Sequence, residues 1–89
     1  METKKTNLEL LSDKLKFAKW LSVSSSNIDQ LWYDDKKQQM KVRFKSGGTY
    51  LYDNVPQYMY DRVLNAPSIG SEFYWLIREY PNKYPFTKM

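Results

Sequence analysis

Gln39-Met40-Lys41-Val42-Arg43-Phe44-Lys45-Ser46-Gly47-Gly48-Thr49-Tyr50-Leu51-Tyr52 reads as a β-hairpin. Apolar Met40, Val42 and Phe44 alternate with cationic Lys41, Arg43 and Lys45, and a period of two puts the apolar row on one strand face and the cations on the other. Ser46-Gly47-Gly48 supplies the tolerance of positive φ that a short loop needs, and Tyr50-Leu51-Tyr52 forms the return strand. The predicted sheet has an inner apolar face and an outer basic one. Any function given to the chain must use that basic face or account for it.

Upstream, Ile28, Leu31, Trp32 and Tyr33 make residues 28–33 a first strand, and Asp34-Asp35-Lys36-Lys37 is a polar turn into the hairpin. Residues 22–26 hold four serines and read as a short linker. Before it, Thr6-Asn7-Leu8-Glu9 fits a capping box. Leu8, Leu11, Leu15, Ala18 and Leu21 then recur at three- and four-residue steps opposite Lys14, Lys16 and Lys19, which predicts an N-terminal amphipathic helix.

Downstream, Asp53-Asn54-Val55-Pro56 opens a helix with Pro56 in its first turn, where a missing amide costs nothing. Met59, Tyr60, Val63 and Leu64 form its apolar face, and Ala66-Pro67 ends it. Ser68-Ile69-Gly70-Ser71 opens a second helix whose Phe73, Leu76, Ile77 and Tyr80 share one face. Pro81 and Pro85 leave an irregular tail that packs Tyr84 and Phe86. The expected architecture is α+β: a three-stranded antiparallel meander, two C-terminal helices on one of its faces, and the extra N-terminal helix. The expected division is residues 1–22 for that helix and 23–89 for the α+β domain.

The chain has 89 residues, enough for one core and one site but not for a deep cleft ringed by catalytic elements. It contains no cysteine and no histidine, which excludes disulfides, thiolate chemistry and the commonest metal ligands, and removes the side chain best suited to proton transfer near neutral pH. No cofactor is expected. No apolar run approaches the ~20 residues that span a bilayer, and nothing at the N-terminus resembles a signal peptide, so a cytoplasmic protein without a membrane partner is expected. The net charge of +4 favours anionic partners. Five cations between residues 36 and 45, with no acid among them, concentrate that charge on the hairpin. Eight tyrosines offer rings for stacking as well as for the core.

The pieces Ser25-Ser26-Asn27-Ile28, Tyr33-Asp34, Val42-Arg43-Phe44, Gly48-Thr49-Tyr50-Leu51-Tyr52, Val55-Pro56, Ala66-Pro67-Ser68-Ile69-Gly70, Ile77-Arg78 and Tyr80-Pro81 occur in an order and spacing that resemble the KTSC domain. This small module is found at the C-terminus of some lysyl-tRNA synthetases and as a free-standing protein, including in phage genomes. The resemblance covers residues 25–86 and leaves the N-terminal stripe outside. Members often carry a serine before the Ser-x-Gly and a lysine within it. This chain has Pro67 and Ile69 there, so the phosphate-gripping lysine is missing. The resemblance implies fold and length, and points toward nucleotides or nucleic acid. For a module like the phage examples it implies sequestration of a host nucleotide immune signal.

Three groups of residues could carry chemistry. Lys41, Arg43 and Lys45 offer phosphate a positive face, with Arg43 able to bind two oxygens through its planar fork; the competing reading is a solvated face that resists edge-to-edge aggregation. Ser68 and Gly70 lie at a helix start, where free amides favour an anion, although an ordinary cap by Ser68 explains the pattern as well. Tyr50 and Tyr52 share a strand face, while Tyr74 and Trp75 lie off the helical stripe and are expected to be exposed, with Arg78 one turn away. Asp34 and Asp35 diverge on a turn, no Gly-x-x-x-x-Gly-Lys loop is present, and no nucleophile has an obvious base, so no enzyme is expected. The expected function is non-enzymatic capture of a nucleotide-like anion by these ten residues. Binding of RNA or another single-stranded nucleic acid across the basic face is the first alternative. The second is a protein-interaction module docking through the N-terminal helix, which is also where a homo-oligomer is expected to form.

Overall fold

The structure, a computed structural model, describes residues 20–89. Residues 1–19 of the predicted N-terminal helix, with its capping box and the oligomer contact assigned to it, lie outside the described residues, and Leu21, the last residue of its predicted stripe, is in a strand rather than a helix. Five antiparallel strands run in chain order across one sheet: β1 (Leu21–Ser22), β2 (Ile28–Asp34), β3 (Gln39–Phe44), β4 (Thr49–Tyr52) and β5 (Phe86–Lys88). Two helices, α1 (Gln57–Leu64) and α2 (Ile69–Phe73), connect β4 to β5, and α2 runs on into a π-helical turn, Tyr74–Arg78.

The α+β class and the central meander agree with the sequence, but the sheet has five strands rather than three. The serine-rich linker was expected to begin at Ser22, yet Leu21 and Ser22 pair with Leu31 and Gln30. The tail was expected to be irregular after Pro85. Proline forbids helix there but not strand, and Phe86, Thr87 and Lys88 pair with Tyr52, Leu51 and Tyr50. Both added strands are two or three residues long, too short for alternation to be read from sequence.

The hairpin register confirms the two-faced reading. Met40 stands opposite Tyr52, and Val42 opposite Tyr50, with Met40, Val42 and Tyr52 buried. The core lies between this face and the helices, and takes Ile28 and Leu31 from β2, Tyr60 and Val63 from α1, and Ile69, Phe73 and Ile77 from the last helical segment. A closed circuit of rings, Phe44, Tyr50, Phe86, Tyr52 and Phe73, has neighbouring centroids 5.2 to 6.0 Å apart and ties β5 to α2. Gly47 takes a φ of +115° in the hairpin loop, the left-handed conformation expected there. In the preceding turn, Asp34 Oδ1 accepts the amides of Lys36 and Lys37, which fixes the polar turn read from the sequence.

The final helix departs from its predicted stripe. Phe73 and Ile77 are buried, but Tyr80 is 55% exposed. The reason is the π-turn, closed by the Glu79 amide donating to the Tyr74 carbonyl, which adds a residue to the turn and ends the helix at Arg78. Tyr80 falls past that end, and Tyr84 enters the core instead.

Candidate functional site

An open groove of about 870 Å³ lies at the end of the sheet, between residues 23–27, which join β1 to β2, and the start of α2. Residues 67–71 line it on the helical side, Tyr74 and Trp75 continue that wall, and Lys45 stands beside residues 23–27. The volume is within the usual range for small-molecule sites, ~300 to 1,000 Å³, although the lining here is more polar than usual.

Local hydrogen bonding explains how each wall is held. Ser25 Oγ accepts the amides of Asn27 and Ile28 and donates to Asn27 Oδ1, which folds residues 25–28 into a tight turn. The Lys45 amide donates to the Asn27 carbonyl at 2.9 Å, so the lysine is anchored to that same turn as β3 ends. Gly70 seats α2 against it: a Cβ at Gly70 would overlap Asn27 Oδ1 and lie 3.3 Å from Ser25 Oγ. Glycine is therefore needed for a close approach within the protein, whereas the sequence suggested an approach by a ligand. Ser68, expected to cap the helix, makes no side-chain capping bond. Ile69, at the place of the lysine that KTSC-like motifs often carry, is buried in the core.

Tyr74 is 40% and Trp75 63% exposed, in line with their predicted position off the apolar stripe. Their rings meet edge to face, with centroids 5.2 Å apart and planes at 86°. The Arg78 guanidinium carbon sits 5.9 Å from the Tyr74 centroid. Arg78 does not itself line the groove but adjoins it through Tyr74. Among the described residues that line the groove, Lys45 alone has a formally charged side chain.

The groove thus gathers five of the ten residues singled out from the sequence: Lys45, Ser68, Gly70, Tyr74 and Trp75. Lys41, Arg43, Tyr50 and Tyr52 do not join them. Tyr50 and Tyr52 point inward into the ring circuit, and Tyr52 is 3% exposed, so neither shares a pocket with the cations on the opposite face. Burial raises the Tyr52 hydroxyl's pKa, partly opposed by Arg78. Strand alternation separates these tyrosines from Arg43, because even- and odd-numbered residues of the hairpin face opposite ways.

On that outer face Lys41 Nζ lies 4.3 Å from the Trp32 ring centroid, and the Arg43 guanidinium carbon 4.0 Å from that of Trp20. Arg43 also donates to Gln30 Oε1, its cross-strand neighbour. Among the described residues no carboxylate forms an ion pair with Lys41, Arg43 or Lys45; the ion pair found joins Arg62 and Glu72 at 3.2 Å. Lys41 and Arg43 instead lie over indole rings, contacts of ~0.5 to 1 kcal/mol each at exposed sites.

The sequence reading missed residues 23–27 as part of the site. Treating serines as linker filler hid a wall of hydroxyls, and the available signal was the run of four serines in five positions. Among the described residues no group of His, Cys, Asp or Glu could hold a metal ion, and no helix is long and apolar enough to cross a membrane.

Comparison with known proteins adds the following. The KTSC domain family matches residues 24–80. An uncharacterized protein of Stutzerimonas stutzeri is 36% identical over 55 residues, covering 62% of this chain and 78% of its own. A protein of Tsukamurella paurometabola is 44% identical over 48 residues, covering 54% of this chain and 72% of its own. The crystal structure of a KTSC domain protein from Yersinia pestis superposes with a TM-score of 0.73 at 30% identity, covering 80% of this chain and 96% of that one. The matched span includes both walls of the groove except Val23.

Proposed function

The chain belongs to the KTSC domain family, and we propose that this member is a non-enzymatic binding protein that captures a nucleotide-like anion in the groove at the end of its sheet. One observation carries the reading. A cation, a row of hydroxyls and two exposed rings line the same open concavity, although they come from residues far apart in sequence.

Each part suits a portion of a nucleotide. Lys45 offers an ammonium to phosphate, and its backbone is held beside the groove by its amide hydrogen bond to the Asn27 carbonyl. Ser24, Ser26, Ser68 and Ser71 are exposed hydroxyls able to donate or accept, the property that sugar hydroxyls and base edges require. Tyr74 and Trp75 supply ring faces for a base, worth ~1 to 3 kcal/mol per stacked base. Lys41 and Arg43 face away from the groove and add long-range field rather than contact.

Titration calorimetry of the full chain with adenosine monophosphate, beside the Lys45→Glu and Arg43→Glu variants, tests this. Binding that falls at least tenfold in Lys45→Glu and stays within threefold in Arg43→Glu is the expected result. Absence of binding across the four common ribonucleotides, or loss in Arg43→Glu with Lys45→Glu unaffected, would overturn it. In the second case a short single-stranded RNA on the outer face becomes the better account.

A further inference from the structure

We infer that the groove accommodates one phosphate and one base, so that its ligand class is a nucleoside carrying a single contacted phosphate, with Trp75 as the stacking platform; this rests on the nucleotide reading above. Among the described residues of the lining, Lys45 is the one formally charged side chain, and the remainder of the polar wall is neutral hydroxyl and amide. A second or third phosphate would find no further cation among these described lining residues. It would remain in water at the open mouth of the groove, contributing only what the screened field of the whole molecule provides.

The ring faces are limited in the same way. Tyr74 and Trp75 meet edge to face, so they cannot clamp a base between parallel rings. The Arg78 guanidinium lies toward the Tyr74 ring at 5.9 Å, whereas among the described residues no cation lies over Trp75, which is the more exposed of the two at 63%. Trp75 therefore presents the open platform, and Tyr74 stands as a wall beside the stacked base. The π-turn contributes to this placement. It inserts an extra residue while Phe73 and Ile77 stay in the core, leaving the two consecutive aromatics between them on the groove side.

Two features of the chain make the inference separable from the broader reading. The other tryptophans, Trp20 and Trp32, lie on the outer sheet face under Arg43 and Lys41, so a ligand in the groove quenches Trp75 selectively. Trp75→Phe keeps a stacking ring while removing that signal.

The test is calorimetry of the full chain with adenosine, AMP, ADP and ATP in 150 mM salt, together with tryptophan fluorescence of the wild type and Trp75→Phe. Affinity should rise about tenfold from adenosine to AMP and then stay within threefold through ADP and ATP. AMP should quench wild-type fluorescence but leave that of Trp75→Phe unchanged, although calorimetry still detects binding to the variant. Affinity that climbs tenfold with each added phosphate, or quenching that persists in Trp75→Phe, would overturn the one-phosphate, Trp75-platform arrangement while leaving nucleotide binding intact. Failure of all four compounds to bind would instead remove the nucleotide reading on which it rests.

Discussion

Gly70 shows how one residue links the fold to the groove. Its hydrogen faces Asn27 Oδ1, and any larger side chain there must push α2 away from the Ser25 turn. Gly70→Ala is expected to cost ~1 to 3 kcal/mol in denaturant unfolding, the usual range for an overpacked contact. Adding Asn27→Ala should recover much of that loss, a non-additivity that isolates the contact. Tyr60 makes a second prediction at this scale. Burial, with a smaller contribution from Asp61, pushes its hydroxyl up to about 12 from the ordinary 10.0, and its ring stacks on Tyr33 with centroids 4.7 Å apart. Tyr33, raised chiefly by burial and then by Asp35, donates its hydroxyl proton to the Val55 carbonyl at 2.6 Å and must also stay protonated to do so. A pKa raised on folding gives stability that is complete below the unfolded value and is lost as pH climbs through the folded one. Unfolding free energy should therefore fall between about pH 10 and pH 12, with Tyr60 accounting for roughly 2 to 3 kcal/mol. Equilibrium unfolding at stepped pH checks this, and Tyr60→Phe should flatten the decline.

At the scale of elements, β5 and the π-turn give the domain its particular shape. Phe86 brings β5 against Tyr50 and Tyr52 while remaining half exposed, so Phe86→Ala should cost ~1 to 2 kcal/mol, less than truncation of a fully buried ring. A loss below the error of denaturant unfolding would mean that β5 is dispensable. The central hairpin was legible because Met40, Val42 and Phe44 alternate with charges over six residues, a pattern that sterics permit only to a strand. Leu21 with Ser22, and Phe86 with its two successors, are too short to show any period, and their pairing depends on an exposed edge that only the assembled sheet offers. The π-turn was equally hidden: Phe73, Leu76, Ile77 and Tyr80 satisfy a helical period on paper, and the inserted residue that exposes Tyr80 has no compositional mark. The groove was half legible. Tyr74, Trp75, Ser68 and Gly70 stand out by type and position, whereas residues 23–27 become a wall only when α2 packs against them.

For the whole molecule, the division of charge between two surfaces is what matters. The outer sheet face holds Lys41 and Arg43 over tryptophans, and the groove holds Lys45 among hydroxyls. These arrangements predict different responses to salt. One phosphate contact at Lys45 should weaken affinity only about threefold between ~50 and ~200 mM salt, whereas three contacts along the strand would weaken it about twentyfold, taking a slope of about 0.7 per phosphate. Calorimetry with AMP across that range checks the count. The most direct measurement is an amide-resolved NMR titration of the full chain with AMP. The account predicts chemical-shift changes in residues 23–27 and 68–71, and at Lys45, Tyr74 and Trp75. Changes confined to Trp20, Trp32, Lys41 and Arg43 would contradict it.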